Sequence, residues 1–258
     1  MSSPRPVVTQ RLQFPGSLGH TLAARLETPA TTARAYALFS HCFTCTKDLK
    51  SAVWISRALV RRGIAVLRFD FTGIGESAGD FGDTNFSSNV GDISAAADFL
   101  RRHYRAPALL IGHSIGGTAT LVAADDIPES RAVVTLASPS DTNHFRQTIL
   151  AQAPEILERG EGDMQIAGNW FRLRKQLVED LERQHVQEHI RTLDRALLVI
   201  HSRNDDTVSI DHAERIFQTA RHPKAFVSLD GADHLLLGNR EDGPYVGNLI
   251  ASWATRYL

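Results

Sequence analysis

A chain of 258 residues, 43% apolar and 22% charged, can bury one large core, and α/β folds often spend about 250 residues on a single domain. No stretch rich in Pro, Gly or Ser divides it, so one domain over residues 1–258 is expected. The formal charge is -1, with Arg and Lys scattered among Asp and Glu, which leaves no basic face for nucleic acid or a membrane surface. The N-terminus, MSSPRPVVTQRLQ, lacks the apolar segment of a signal peptide, and no apolar run approaches the roughly 20 residues that span a bilayer. A cytoplasmic protein is expected. Cys42 and Cys45, the only cysteines, cannot build a disulfide framework, and a zinc site would need two more ligands at suitable spacing, so neither metal nor cofactor is expected.

The segments LQF and TLAARLE suit an antiparallel N-terminal hairpin. Six short apolar runs follow: AYALF (35–39), IAVLRF (64–69), ALLIG (108–112), AVVTL (132–136), ALLVIH (196–201) and AFVSL (225–229). Such runs fit strands buried on both faces. Between the first two, Asp48 is placed to cap a helix whose apolar positions are Leu49, Val53, Ile55, Leu59 and Val60, with Gly63 at its C-terminal stop. A second helix is expected over about 88–103, with Val90, Ile93, Ala97 and Leu100 near a 3.6-residue period, and a last one over about 245–257. Strands alternating with helices predict a doubly wound, mostly parallel sheet whose ligands bind beyond the carboxyl ends of the strands.

The rhythm breaks between Leu136 and Ala196, where about 55 residues replace an ordinary crossover of a dozen or more. A small lid over about 141–194 is expected there. Its middle, MQIAGNWFRL (164–173), reads as a hairpin turning at Gly168-Asn169. Trp170 and Phe171 are the expected substrate contacts, because adjacent strand residues face opposite sides and one of the two can point at a site. Phe145, Ile149 and Leu150 are further apolar candidates there, although such side chains also serve only to pack a lid.

After ALLI comes Gly112-His113-Ser114-Ile115-Gly116-Gly117 and then a good helix, TATLVAADD. This is GxSxG in the strand, sharp turn and helix that give the pattern meaning. A Cβ at either flanking glycine would collide with the neighbouring strand or helix, and the turn lifts Oγ to a helix N-terminus. The plainer alternative is a glycine-rich turn with an incidental serine. A serine hydroxyl needs a base and an acid to orient that base, in the order acid then histidine. SRNDDTV follows the strand ALLVIH and offers Asp205 and Asp206, with Asp205 favoured; DGADHLL follows AFVSL and offers His234. Each lies in a loop after a predicted strand, on the same sheet edge as Ser114.

The stretch HCFTCTKD (41–48) follows AYALFS. With Ser114, Asp205 and His234 it makes the whole chain resemble the α/β-hydrolase superfamily, and more closely the esterases whose loop reads HGFTG, with cysteine here at both glycine positions. The resemblance implies that the backbone N–H groups of Phe43 and Ile115 form an oxyanion hole. HCFTCTKD, FDFTGIGES (69–77) and TNFSSNV (84–90) together resemble the hydrolase half of bacterial proteins that fuse it to an OsmC-type peroxidase domain, which makes such a domain a candidate partner. A thioredoxin-like role for the CxxC pair would want it at a helix N-terminus, and Asp48 starts the helix too late; packed or accessible thiols are expected instead.

The expected function is that of a serine esterase acting on short to medium acyl esters of small molecules through Ser114, His234 and Asp205. The same groups serve thioesterases, amidases and peptidases, and a non-catalytic scaffold partnering an OsmC-type peroxidase is the rival reading. A homo-oligomer is compatible with the sequence.

Overall fold

In the computed structural model, which describes residues 7–166 and 168–258, the chain opens with strands β1 (Val7–Pro15) and β2 (Thr21–Pro29), paired antiparallel with Val7 opposite Pro29. Then come β3 (Ala35–Ser40), α1 (Lys50–Arg61), β4 (Ile64–Phe69), α2 (Phe86–His103), β5 (Leu109–His113), α3 (Ile115–Ala123) and β6 (Ala132–Leu136). An excursion carries α4 (Asn143–Gln152), α5 (Ile156–Arg159), the antiparallel pair β7 (Glu161–Ile166) and β8 (Asn169–Arg174), α6 (Lys175–Glu182) and α7 (Val186–Thr192). The chain closes with β9 (Ala196–His201), α8 (Asp211–Thr219), β10 (Lys224–Ser228) and α9 (Asp242–Ala254).

Eight strands form one sheet in the order β1-β2-β4-β3-β5-β6-β9-β10, parallel from β4 through β10, with the N-terminal hairpin antiparallel at one edge. The apolar runs of the central strands are buried on both faces, and their period of two sorts them. Leu38, Leu67, Leu110 and Leu197 pack with α2, α3, α7 and α8, whereas Phe39, Val66, Ile111 and Leu198 pack with α1 and α9. The expected doubly wound α/β architecture is what the chain adopts. From β3 the chain steps to β4 on one side and then crosses to β5 on the other, so a crevice opens beyond the carboxyl ends of β3 and β5.

Several boundaries differ from the sequence expectation for local reasons. Asp48 does not cap α1; it makes two hydrogen bonds to Arg25, at 2.7 and 2.9 Å, and α1 starts at Lys50 without a side-chain cap. Gly63 does end α1 in the left-handed region (φ 84°), its N–H donating to the carbonyl of Val60. α2 starts at Phe86, because Asn85 and Ser88 form a reciprocal capping box. In the excursion, Ile166 pairs with Asn169, so Asn169 already belongs to β8; Ala167 lies outside the described residues. Val186 and Ile190 of α7 share the main core with Ile149 of α4 and with Leu177 and Leu181 of α6, and α7 packs against α3. Among the described residues no helix is long and apolar enough to cross a membrane.

Candidate active site

Ser114 sits between β5 and α3 with φ 55° and ψ -132°, a conformation that costs a non-glycine residue on the order of 1–3 kcal/mol. The surroundings enforce it. Its N–H donates to the Leu136 carbonyl at 2.8 Å, and its own carbonyl accepts from Gly117 N–H at 2.8 Å. The glycines around it have no room for a side chain: a Cβ on Gly116 would overlap the His41 carbonyl, one on Gly117 the Ser138 hydroxyl, and one on Gly112 the backbone of Gly117. The price of that strain is a hydroxyl held at the rim of the crevice with its neighbours locked.

The loop after β10 brings His234 to it. Nε2 of His234 lies 3.0 Å from Ser114 Oγ, and Nδ1 lies 2.8 Å from Oδ2 of Asp205, in the loop after β9. A carboxylate only accepts, so Nδ1 carries the proton and Nε2 is left to accept from the serine hydroxyl. Burial works against the charge on Asp205, but the bonds from His234 and from the N–H groups of Val208 and Thr207 outweigh it and hold the carboxyl below its usual range. Asp206 is exposed and accepts from the Thr207 hydroxyl. In this geometry the imidazole can take the serine proton while Asp205 stabilises the imidazolium that results.

Two histidines that sequence reasoning passed over tie this arrangement down. His113, the variable residue before the nucleophile position, is buried, and its Nε2–H donates to the His234 backbone carbonyl at 2.7 Å. Burial and the nearby His234 push His113 down to about 3, so it stays neutral. His41 is buried at the end of β3, and its Nδ1–H donates to the Cys42 carbonyl at 2.6 Å while Nε2 accepts from Phe71 N–H at 3.4 Å. No local periodicity marks either role. Both depend on contacts between loops far apart in sequence.

The loop after β3 is anchored from below by a buried charge network. Asp70 accepts from Lys47 N–H at 2.6 Å and from Lys47 Nζ at 2.7 Å, while Arg68 donates to the Lys47 carbonyl at 2.6 Å and pairs with Glu27 at 3.1 Å. Burial alone would lower the Lys47 ammonium, but the bonds to Asp70 and Glu76 more than offset it. Among the described residues, the N–H groups of Phe43 and Ile115 donate to no protein acceptor, and both residues border the cavity into which Ser114 opens. The expectation of free thiols is corrected here: Cys42 and Cys45 form a disulfide with Cα atoms 5.2 Å apart, and it lines the same cavity. Three residues of separation suffice because the chain turns, Cys45 N–H donating to the Cys42 carbonyl at 3.2 Å.

The cavity measures about 600 Å³. The excursion roofs it through Phe145 and Thr148 of α4 and Met164, Gln165 and Ile166 of β7. Trp170 and Phe171 do not reach it, contrary to the sequence expectation. Trp170 is 69% exposed, and Phe171 packs its ring 5.0 Å from that of Phe81. They sit on β8, whereas the hairpin's contribution to the cavity wall, Met164, Gln165 and Ile166, comes from β7. No Lys or Arg borders the cavity, and no group of three or more His, Cys, Asp or Glu among the described residues could hold a metal ion.

Residues 49–165 match the family described as serine aminopeptidase, S33. The esterase domain from a Rhodothermus marinus protein is 45% identical to this chain, covering 97% of it and 99% of that domain, with a TM-score of 0.79. The chain belongs to the α/β-hydrolase family. This α/β hydrolase also shares its fold with Est1E from Butyrivibrio proteoclasticus, solved with ferulic acid bound (19% identity, 95% and 98% of the two chains, TM-score 0.80). Mouse alpha/beta hydrolase domain-containing protein 10 is a further structural relative of the α/β hydrolase (18% identity, 96% and 99%, TM-score 0.75). No curated protein sequence matches it.

Proposed function

We propose that this α/β hydrolase is a carboxylesterase for short to medium acyl esters, with Ser114 as nucleophile. The observation that carries the reading is the run of contacts from Asp205 through His234 to Ser114 Oγ, at 2.8 and 3.0 Å, at the edge of a largely apolar cavity. Ser114 attacks the acyl carbon as His234 Nε2 takes its proton. The tetrahedral oxyanion is held by the N–H groups of Phe43 and Ile115, and His234 returns the proton to the leaving alcohol. Water then repeats the cycle on the acyl-enzyme. Apolar walls and the absence of bordering Lys or Arg favour acyl groups without phosphate or carboxylate. The excursion serves as a small lid, too short and too charged for activation at a lipid surface.

Amide hydrolysis is the second reading, supported by the match to the serine aminopeptidase family and by the exposed carboxylate of Asp206 at the cavity wall, which can receive a substrate ammonium. An OsmC-type peroxidase partner follows from the sequence resemblance alone and belongs to this proposal, as does a cytoplasmic location. The test is a panel of p-nitrophenyl esters of increasing acyl length, run beside thioester and aminoacyl-amide substrates. Turnover peaking at short to medium esters supports the esterase; faster aminoacyl-amide cleavage reverses the two readings; no turnover on any substrate favours a non-catalytic scaffold.

A further inference from the structure

We infer that the Cys42–Cys45 disulfide is a reversible modification site for dithiols, and that its closure fixes the oxyanion donor of the cavity. The inference rests on the esterase reading of Ser114. The two cysteines bracket Phe43 and Thr44, and both line the cavity beside Ser114. Cys42 is buried and Cys45 half-buried, so Cys45 Sγ is the sulfur that a reductant entering the cavity reaches first.

The connection to chemistry runs through one peptide unit. The Cys42 carbonyl accepts from His41 Nδ1–H at 2.6 Å and from Cys45 N–H at 3.2 Å. In a planar trans peptide the carbonyl and the following N–H point opposite ways, so holding the Cys42 carbonyl aims the Phe43 N–H. The disulfide adds a covalent closure around that unit, spanning Cα atoms 5.2 Å apart. An oxyanion donor is effective in proportion to how well it is held before the charge develops. With the bridge open, the two hydrogen bonds remain but the turn is free to widen.

Reduction balances with a dithiol as the reductant. One of its thiolates attacks Cys45 Sγ, the S–S bond breaks, and Cys42 leaves as a thiolate and takes a proton. The second thiol then attacks the dithiol sulfur of the mixed disulfide and releases Cys45, so two electrons pass to the cysteines and the dithiol departs as a cyclic disulfide. Among the described residues no free cation or helix N-terminus flanks the pair to favour a thiolate product: the Lys47 ammonium is bonded to Asp70 and Glu76, and α1 starts only at Lys50. The pair therefore acts as a sensor of the surrounding thiol pool and not as an oxidant of other proteins.

The experiment uses the full chain, oxidised in air, with kcat and KM measured on p-nitrophenyl butyrate before dithiothreitol treatment, after it, and after reoxidation. Thiols are counted in denaturant in each state. The expected count is none, two, then none, with kcat falling about 5-fold on reduction, KM staying within about twofold, and both recovering on reoxidation. The Cys42→Ser/Cys45→Ser double variant should show the reduced kcat and no response to dithiothreitol; if it does not fold, the three wild-type states decide alone. Two free thiols in the air-oxidised protein, equal kcat in states whose thiol counts differ, or a double variant that still responds would overturn the inference. An oxidised protein that neither hydrolyses esters nor reacts with a fluorophosphonate would instead overturn the esterase reading, and the inference with it.

Discussion

Oδ2 of Asp205 lies 2.8 Å from Nδ1 of His234, while the carboxylate of the adjacent Asp206 turns to the Thr207 hydroxyl. One residue of chain thus separates a buried, imidazole-bound acid from a solvated one. Asp205→Asn should lower kcat on the order of 10⁴-fold, because the amide favours the wrong imidazole tautomer. Asp206→Asn should change ester turnover less than about threefold, since an exposed residue away from such a network usually costs little. Steady-state rates on p-nitrophenyl butyrate check both.

The oxyanion role assigned to Phe43 lies in its backbone, whereas its ring packs on Phe81 and Phe145 with centroids 5.1 and 4.2 Å away. The two can be separated. Phe43→Pro deletes the N–H and should cost roughly 3 kcal/mol in kcat. Phe43→Ala keeps the N–H and should lose less kcat while raising KM. Equal kcat losses in the two variants would assign the effect to the ring.

Buried His113 gives stability a definite dependence on pH. Its folded value is pushed down from 6.5 to about 3, so between these limits the unfolded chain binds a proton that the folded one refuses. The stability it contributes is complete above pH 6.5 and is lost as pH falls. From pH 7 to pH 5 the wild type should therefore lose about 2 kcal/mol more than His113→Asn. Urea midpoints of both proteins at the two pH values check it; equal losses would contradict it.

Phe145 roofs the cavity and Trp170 does not. Phe145→Ala should shift acyl-chain preference toward longer esters, worth about 1–3 kcal/mol between the best and worst matched substrates. Trp170→Ala should leave the chain-length profile unchanged. The panel of p-nitrophenyl esters reads both.

The sheet was legible because its central strands are continuous apolar runs, a pattern that burial on both faces imposes and that Ile64–Phe69, Ala132–Leu136 and Ala196–His201 follow to the residue. That Ser114, Asp205 and His234 come together was legible because each follows a strand in a loop on the same edge. What the sequence hid was three-dimensional. Asp48 looked like a cap until Arg25, on β2, claimed it. Trp170 and Phe171 looked like pocket aromatics, but alternation along β8 says only that they face apart, and which strand of the hairpin borders the cavity is set by packing. His113 and His41 gave no signal, because their partners are the carbonyl of a residue 121 positions away and a backbone turn. The CxxC spacing was visible, but its closure depends on the turn that brings the two sulfurs together.

The central claim, that Ser114 is activated by His234, is tested most directly by reaction with a fluorophosphonate followed by intact mass and peptide mapping. Labelling needs an activated hydroxyl and no knowledge of the natural substrate. The account predicts one adduct per chain on the peptide bearing Ser114, none in Ser114→Ala, and labelling slowed at least about 10³-fold in His234→Ala. An adduct that persists in folded Ser114→Ala, or wild-type protein that remains unlabelled, would contradict it.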